Sequence, residues 1–364
     1  MEQWIKCTLG DILNFRRGHD LPKTSMQAGN IPVAGSNGVI GYHNECTPIS
    51  PCITIGRSGN VGTPYIYDTC WAHNTVLYID DYKGNDPKYL YYLLKTLPLS
   101  SFGGGSAVPT LNRNHIHPFE ILFCKDLSEQ KRIANLLSKI DDKIELNRQI
   151  NDNLEQQASN LFQDWLNNCE NSIMLRELTD NVLDYTPNTH EHVYLLNSSD
   201  VTEGQFTVLP LTPNINLKGQ FKKRFKKGDI LYSEIRPRNR HYAYCYFDAD
   251  KYIASTRLIV LRAKPEKLTS SILLYQYLML NNVFEEFTLK TESRSGTFPQ
   301  GNYEDLSSIK VPYGASQEKI AKALESIYKQ LWTNLEENER LEALRDSLLP
   351  KLMSGELKIN EIDC

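Results

Sequence analysis

Glu129-Gln-Lys-Arg-Ile133-Ala134 opens a helical stretch that ends near Trp165-Leu166, and Gln317-Glu-Lys-Ile320-Ala321 opens another that ends near Leu352-Met353. Each follows a related lead-in. The first is Gly105-Ser-Ala-Val-Pro109-Thr-Leu-Asn112 and the second is Ser295-Gly-Thr-Phe-Pro299-Gln-Gly-Asn302. Pro109 and Pro299 lie 190 residues apart, Ile133 and Ile320 lie 187 apart, so a three-residue gap separates the two registers. A repeat of this length is a duplicated domain-plus-helix unit and not a solenoid of short repeats.

The helical stretches carry the sharper pattern. Steps of four and three pick out Ile133, Leu137, Ile140, Ile144, Asn147, Asn151, Leu154, Ala158, Leu161 and Trp165. The second copy offers Ile320, Leu324, Ile327, Leu331, Asn334, Asn338, Leu341, Arg345, Leu348 and Leu352. A seam with a 3.5-residue period over several heptads predicts a coiled coil. Both seams are interrupted at matched places by Asn. Buried amides weaken a seam but fix its register, because a slipped partner leaves them unpaired; Asn facing solvent on a curved helix fits the same spacing. Matched Asn favour the two helices packing on each other within one chain, with Arg345 loosening the seam near its end. At ~1.5 Å per residue the first seam is about 50 Å long.

These lead-ins, the Glu-Gln-Lys-Arg-Ile-Ala segment, its helix and the weaker second copy resemble the specificity subunit of type I restriction–modification enzymes. The duplicated order, more than any single motif, carries the resemblance, which covers Trp4 to about Gly355. It implies an α+β chain: two α/β target recognition domains of similar fold, separated by two long conserved helices that form an intramolecular antiparallel coiled coil. On that plan residues 1–125 are the first recognition domain, 126–168 the central helix, 169–314 the second domain, 315–354 the C-terminal helix and 355–364 a tail. It further implies that each domain reads one half of a split double-stranded DNA target. The helices then set the spacing and dock two methyltransferase subunits, with restriction/translocase subunits joining them. Cofactors sit on the partners: S-adenosylmethionine on the methyltransferase, ATP and Mg on the restriction subunit. At 364 residues the recognition domains should be lean.

Composition fits a cytoplasmic protein with ample core. No run of 18 apolar residues occurs and the N-terminus lacks a signal-peptide pattern, so no membrane association is expected. Eight cysteines include no Cys-x-x-Cys pair; Cys364 should be exposed and the others should fill small core or loop positions. The pairs His115/His117 and His190/His192 lack a third ligand, so no metal site is expected.

A net charge of −4 argues against nucleic acid until its distribution is considered. Lys218 to Arg240 holds nine basic residues against Asp229 and Glu234, a local net of +7, while the helices are acidic. Basic globular parts and an acidic rod suit phosphate contact by the former and protein contact by the latter; a solvated charge run on an edge hairpin is the plainer reading. Leu136, Leu146, Phe162 and Leu335 are expected to flank the rod and face partners.

The candidate DNA-contacting residues follow from turns. Ile31 to Tyr42 reads as a hairpin around Asn37-Gly38. Gly56-Arg-Ser-Gly59-Asn-Val-Gly62 lacks the spacing of a phosphate-binding loop. It reads as a hairpin tip presenting Arg57, Ser58 and Asn60, or as an ordinary tight turn. Asp229 to Arg240 corresponds to Ile53 to Gly62, and Ala254 to Val260 corresponds to the stretch from Ala72 onward, which brings in His73 and Asn74. In the second domain Lys222, Lys223, Lys226 and Lys227 are candidates for phosphate, and Arg236, Arg238, Asn239, Arg240 and Arg257 for bases. Arg forks onto guanine and Asn onto adenine. Arg16, Arg17 and Arg294 complete the set.

No Asn/Asp-Pro-Pro-aromatic tetrapeptide, Walker lysine motif, helicase box or nuclease core is present in the sequence. Catalysis is therefore expected on partners. A fused methyltransferase or nuclease, and a coiled-coil assembly protein that reads no DNA, are the alternatives.

Overall fold

The computed structural model describes residues 4–103, 110–267, 270–293, 300–314 and 317–359. Most of the two proline lead-ins, Arg294 and Cys364 fall outside them. The chain divides into two compact units, Met1–Asn147 with Glu337–Cys364, and Arg148–Glu336.

The first unit begins with β1 (Trp4–Thr8), a short helix α1 (Leu9–Ile12) and β2 (Asn14–Arg17). The hairpin expected from Asn37-Gly38 follows as β3 (Ile31–Gly35) and β4 (Gly38–His43). Then come β5 (Cys52–Gly56), β6 (Pro64–Tyr67), β7 (Trp71–Ala72) and β8 (Val76–Asp81). Strands β2-β8-β5-β6 form an antiparallel sheet; β4-β3-β7 form a second, in which β7 runs parallel to β3. β5 is buried at every residue, as a continuous apolar run in mid-sheet should be. Helix α2 (Pro87–Thr96) starts cleanly because Asp86 accepts from the Tyr89 amide and Pro87 presets the first turn. It drives Tyr89, Leu90, Leu93 and Leu94 into the core beside Phe15, Ile53 and Ile79. After α3 (Arg113–Ile116), β9 (Glu120–Cys124) pairs antiparallel with β1. The chain then enters the 41-residue helix α4 (Leu127–Asn167).

The second unit repeats the plan. β10 (Asn171–Met174), α5 (Leu175–Leu178) and β11 (Thr179–Asn181) lead to β12 (His192–Leu196). A small hairpin of β13 (Val201–Thr202) and β14 (Gln205–Phe206) has no counterpart in the first unit's strand order. β15 (Thr212–Pro213), β16 (Phe221–Lys223), β17 (Ile230–Ser233), β18 (Tyr242–Tyr244), β19 (Tyr252–Ser255) and β20 (Leu258–Ala263) follow. The order β11-β20-β17-β18 reproduces β2-β8-β5-β6, and the parallel pair β12-β19 reproduces β3-β7. Helices α6 (Ser271–Met279), α7 (Asn281–Glu292) and α8 (Tyr303–Ser307) precede β21 (Lys310–Tyr313), which pairs with β10 as β9 pairs with β1. The 38-residue helix α9 (Gln317–Ser354) ends the fold.

Both long helices contribute to both units, and within each unit they run antiparallel. In the first, Ile133 and Leu137 of α4 share a core with Leu349 and Leu352 of α9. In the second, Ala158, Phe162 and Trp165 share one with Ile320, Leu324 and Tyr328. All four seam Asn are buried. In the first unit Asn147 Nδ2 donates to Asn338 Oδ1 (2.9 Å), and Asn338 Nδ2 donates to the Ile144 carbonyl (3.3 Å). In the second, Asn334 Nδ2 donates to Asn151 Oδ1 (2.8 Å), and Asn151 Nδ2 donates to the Leu331 carbonyl (3.2 Å). The same contact thus occurs twice, with the helices exchanging roles.

The seam corrects three expectations. Leu161 is exposed and Phe162 is buried at 2%, because two steps of four after Leu154 carry the stripe one residue past the strict heptad. Phe162 is therefore no partner-facing flank. Leu136 and Leu335 are half-buried against their own cores, whereas Leu146 is exposed. Arg345 does not loosen the seam: NH1 meets Asp141 Oδ1 at 2.8 Å, and Tyr92 Oη donates to the other carboxylate oxygen at 2.6 Å.

Of the cysteines described, Cys46 is exposed and the rest are buried or half-buried.

Candidate nucleic-acid interface

In the first unit, β5 stops at Gly56. A Cβ there would fall 1.7 Å from the Asn60 carbonyl oxygen, so only glycine lets the chain fold back this tightly. The Gly56 amide donates to the Thr63 carbonyl (3.1 Å) and the Gly62 amide to the Gly56 carbonyl (2.8 Å), closing the tip. Arg57 and Ser58 both donate their amides to the Thr75 carbonyl, at 2.8 and 3.2 Å. This seats the tip against the turn that carries His73 and Asn74. His73 Nδ1 is 3.0 Å from Thr75 Oγ1, and Asn74 Nδ2 donates to Asp20. Gly18 allows that turn to approach β2, since a Cβ there would lie 2.1 Å from the His73 carbonyl oxygen. Asn60 is exposed and accepts from Thr63 Oγ1 (3.0 Å).

Arg16, Arg17 and Arg57, separated in sequence, come together around a recess of about 410 Å³. A fourth guanidinium, Arg113, lines it beside Thr110 and Asn112. Sequence reading missed Arg113 because the lead-in was assigned to the frame; a cation directly after a helix-capping Asn was the available signal. No carboxylate lines the recess among the described residues. Arg16, Arg17 and Arg113 are exposed, whereas Arg57 is half-buried. Burial, then the charge of Arg17, pull the Arg57 pKa down. Crowded like charges of this kind are relieved by an acceptor-rich or anionic ligand.

The second unit holds the same backbone and different chemistry. The Glu234 amide donates to the Arg257 carbonyl (2.9 Å), and the Gly301 amide donates to the Glu234 carbonyl (2.7 Å). In the first unit the Arg57 amide donates to Thr75, and the Leu111 amide donates to the Arg57 carbonyl (2.7 Å). The isolated bridges Ser58–Thr110 and Ile235–Gln300 match as well. Glu234 therefore occupies the place of Arg57. Val182 and Leu183 follow β11 where Arg16 and Arg17 close β2. Burial pushes the Glu234 carboxyl above its ordinary value, opposed by Lys223, Arg257 and a hydrogen bond with Gln300.

The basic run from Lys218 to Arg240 is not one patch. β17 separates Lys226 and Lys227, before its first residue, from Arg236, Arg238, Asn239 and Arg240, after its last. Lys226 and Lys227 line a separate recess of about 250 Å³ where Arg262 forks onto Asp229 at 2.7 and 2.8 Å. Lys222 is exposed on β16, whose start pairs with Ser255 near Arg257. Lys223 cannot reach phosphate: it is 4% exposed and its Nζ donates to the Leu258 carbonyl at 2.6 Å, because the neighbouring positions of this short strand alternate in and out.

Beyond β17, Arg236 and Arg240 both take left-handed backbone conformations (φ 47° and 51°), uncommon for residues with a Cβ. Between them Arg238 forks onto Glu292 of α7 at 2.7 and 3.0 Å. Arg240 stacks over the Phe284 ring at 4.3 Å and donates to Asn281 Oδ1 (3.3 Å). Asn239 and Arg257 are exposed. Arg294 lies outside the described residues.

Among the described residues no group of three or more His, Cys, Asp or Glu could hold a metal ion. No described helix is long and apolar enough to cross a membrane.

A family model for the type I restriction modification DNA specificity domain matches residues 1–156 and 210–343. The type I restriction enzyme HindI specificity subunit of Haemophilus influenzae is 35% identical over 163 residues, 44% of this chain and 35% of that protein. This chain thus spans about a third of that relative. A putative type I specificity subunit of Mycoplasma pneumoniae is 24% identical over 371 residues, 96% of each chain. The crystal structure of a type I restriction–modification S subunit from M. genitalium shares the fold, with a TM-score of 0.71 at 17% identity over 96% of both chains.

Proposed function

The chain belongs to the type I restriction modification DNA specificity family, and from that premise we propose that each unit reads one half of a bipartite double-stranded DNA target. One observation carries the reading: the two units share a backbone frame, yet present a four-arginine recess in one and Glu234 with Arg257 in the other. Equal frames with unlike polar loops suit two half-sites of unlike sequence. Guanidinium and amide groups read base edges, and exposed lysines hold phosphates. The long helices set the gap between half-sites and, through exposed apolar residues such as Leu146 and Ile150, dock two methyltransferase subunits. Restriction/translocase subunits add to that assembly. The chain itself is non-catalytic. S-adenosylmethionine belongs to the methyltransferase, and ATP and Mg to the restriction subunit; the assembly works in the cytoplasm.

Sequencing-based methylation mapping of DNA exposed to the complex of this chain with its modification subunits tests the proposal. The expected motif is two unlike half-sites separated by a fixed number of unread base pairs. A continuous motif, or methylation without sequence preference, would contradict it. Calorimetric binding of S-adenosylmethionine by this chain alone would favour a fused methyltransferase instead.

A further inference from the structure

We infer that the residue closing the central strand, Arg57 in the first unit and Glu234 in the second, selects the base at one equivalent position of each half-site: a guanine in the first and a cytosine in the second. The inference rests on the proposal that each unit reads one half-site.

Placement is the first ground. Both residues are held by the same pair of backbone hydrogen bonds, the amide to the turn before the next strand and the carbonyl from the lead-in segment. Whatever one side chain faces, the other faces from the same point of the frame. Both are half-buried, not extended into solvent.

Charge is the second. A carboxylate directed at DNA is repelled by phosphates, so Glu234 has no use for the backbone and serves there only by accepting from a base. An ionised carboxylate offers acceptors alone. Adenine presents a donor beside the N7 acceptor and suits an amide; cytosine presents the N4 donor and suits a carboxylate. Burial raises the Glu234 pKa, while the charges of Lys223 and Arg257 and a hydrogen bond with Gln300 favour its ionised, acceptor-only form.

In the first unit the division of labour is visible in exposure. Arg16 and Arg17 stand exposed around the recess and meet phosphates first, beside Arg113, whose Nη1 donates to the Phe15 carbonyl (3.3 Å). Arg57, set deeper and crowded by the charge of Arg17, is left for paired acceptors such as guanine O6 and N7, which match its fork.

The test uses the complete complex on a DNA library randomised in both half-sites, with methylation read by sequencing. Glu234→Gln should lower discrimination at one base pair of the second half-site by roughly 5- to 150-fold, leaving the first half-site unchanged. Arg57→Gln should do the reverse. Complex assembly and Tm, measured in parallel, confirm that each variant is folded, and the near-isosteric Glu234→Gln guards against a collapsed loop. A uniform loss over all sequences would overturn the inference, since it would mark a phosphate-contacting or structural role. So would a wild-type bipartite profile that neither substitution alters, with the proposed function left standing. A wild-type profile without two half-sites would overturn both.

Discussion

The two units share the order of one four-stranded sheet and, at its strand ends, their backbone hydrogen bonds, yet the side chains mounted there differ in charge. Where the first unit has Arg57 with Arg16, Arg17 and Arg113, the second has Glu234 with Val182 and Leu183. The long helices show a similar contrast. In the first unit Tyr92 donates to Asp141, which pairs with Arg345. In the second Gln276 donates to the Tyr328 hydroxyl (2.6 Å), and the position matching Arg345 is Ala158, fully buried. Duplication keeps what the backbone does for itself and lets side chains drift toward separate tasks. The Asn contacts are common to both units and would serve a helix pairing with its own copy equally well; the Asp141–Arg345 pair belongs to one unit only and marks which helix is which.

That contrast gives the largest expected effect. Asp141→Ala leaves the half-buried Arg345 guanidinium with Asp346 alone, and Arg345→Ala leaves the Asp141 carboxylate with only the Tyr92 hydroxyl, so each should destabilise the first unit by roughly 1–3 kcal/mol. Tyr328→Phe, the counterpart, removes the acceptor of the buried but uncharged Gln276 amide and should cost about 1 kcal/mol, the low end of the same range. Chemical denaturation followed by hydrogen exchange in each unit would measure both. A chain cut near Asn168 and left to pair with itself sets Asp141 against Ala158. Ala158→Arg should therefore strengthen self-association of that half in sedimentation while weakening the full chain, where it buries an unpaired charge.

Replacing Asn147, Asn151, Asn334 and Asn338 together by Leu should have a smaller effect of opposite sign. The buried amides vanish, among them the Asn147 Oδ1 that has no hydrogen-bond partner among the described residues, so Tm should rise. Register should loosen, seen as multiple cross-linked species where the native chain gives one. A lower Tm would show that the amide network contributes more than apolar packing would.

Phosphate contacts should give the smallest and most uniform change. Each of Lys222→Ala, Lys226→Ala and Lys227→Ala should reduce the slope of log K against log salt by up to about 1, equally on all sequences. Lys226 and Lys227 lie across β17 from the arginine turn, so a slope unaffected by them but reduced by Lys222→Ala would place DNA at the Arg257 end alone. Lys223→Ala should instead lower Tm, because its ammonium is committed to the Leu258 carbonyl.

The duplicated frame and the helix pairing were legible in the sequence because both rest on period. A seam repeating every 3.5 residues and two lead-ins at a constant offset survive without knowledge of any contact. Leu161 and Phe162 show where period fails: two adjacent apolar residues satisfy steps of three or four equally, and packing chooses. Arg345 reads as a flaw in an apolar seam until Asp141 is placed opposite it, a pairing that spans most of the chain. Lys223 could not be separated from Lys222, because a strand of three residues does not announce its buried face. The four-arginine recess was half visible: Arg16, Arg17 and Arg57 stood out as cations near turns, but their convergence with Arg113 depends on β2, β5 and the lead-in meeting in space.

The proposed function requires two independent readers on one chain. Exchange of residues 1–125 for the matching domain of another family member, followed by methylation mapping of the complete complex, tests it most directly. One half of the target should change to the donor's sequence while the other half and the gap stay as they were. A swap that alters both halves at once, or neither, would contradict it.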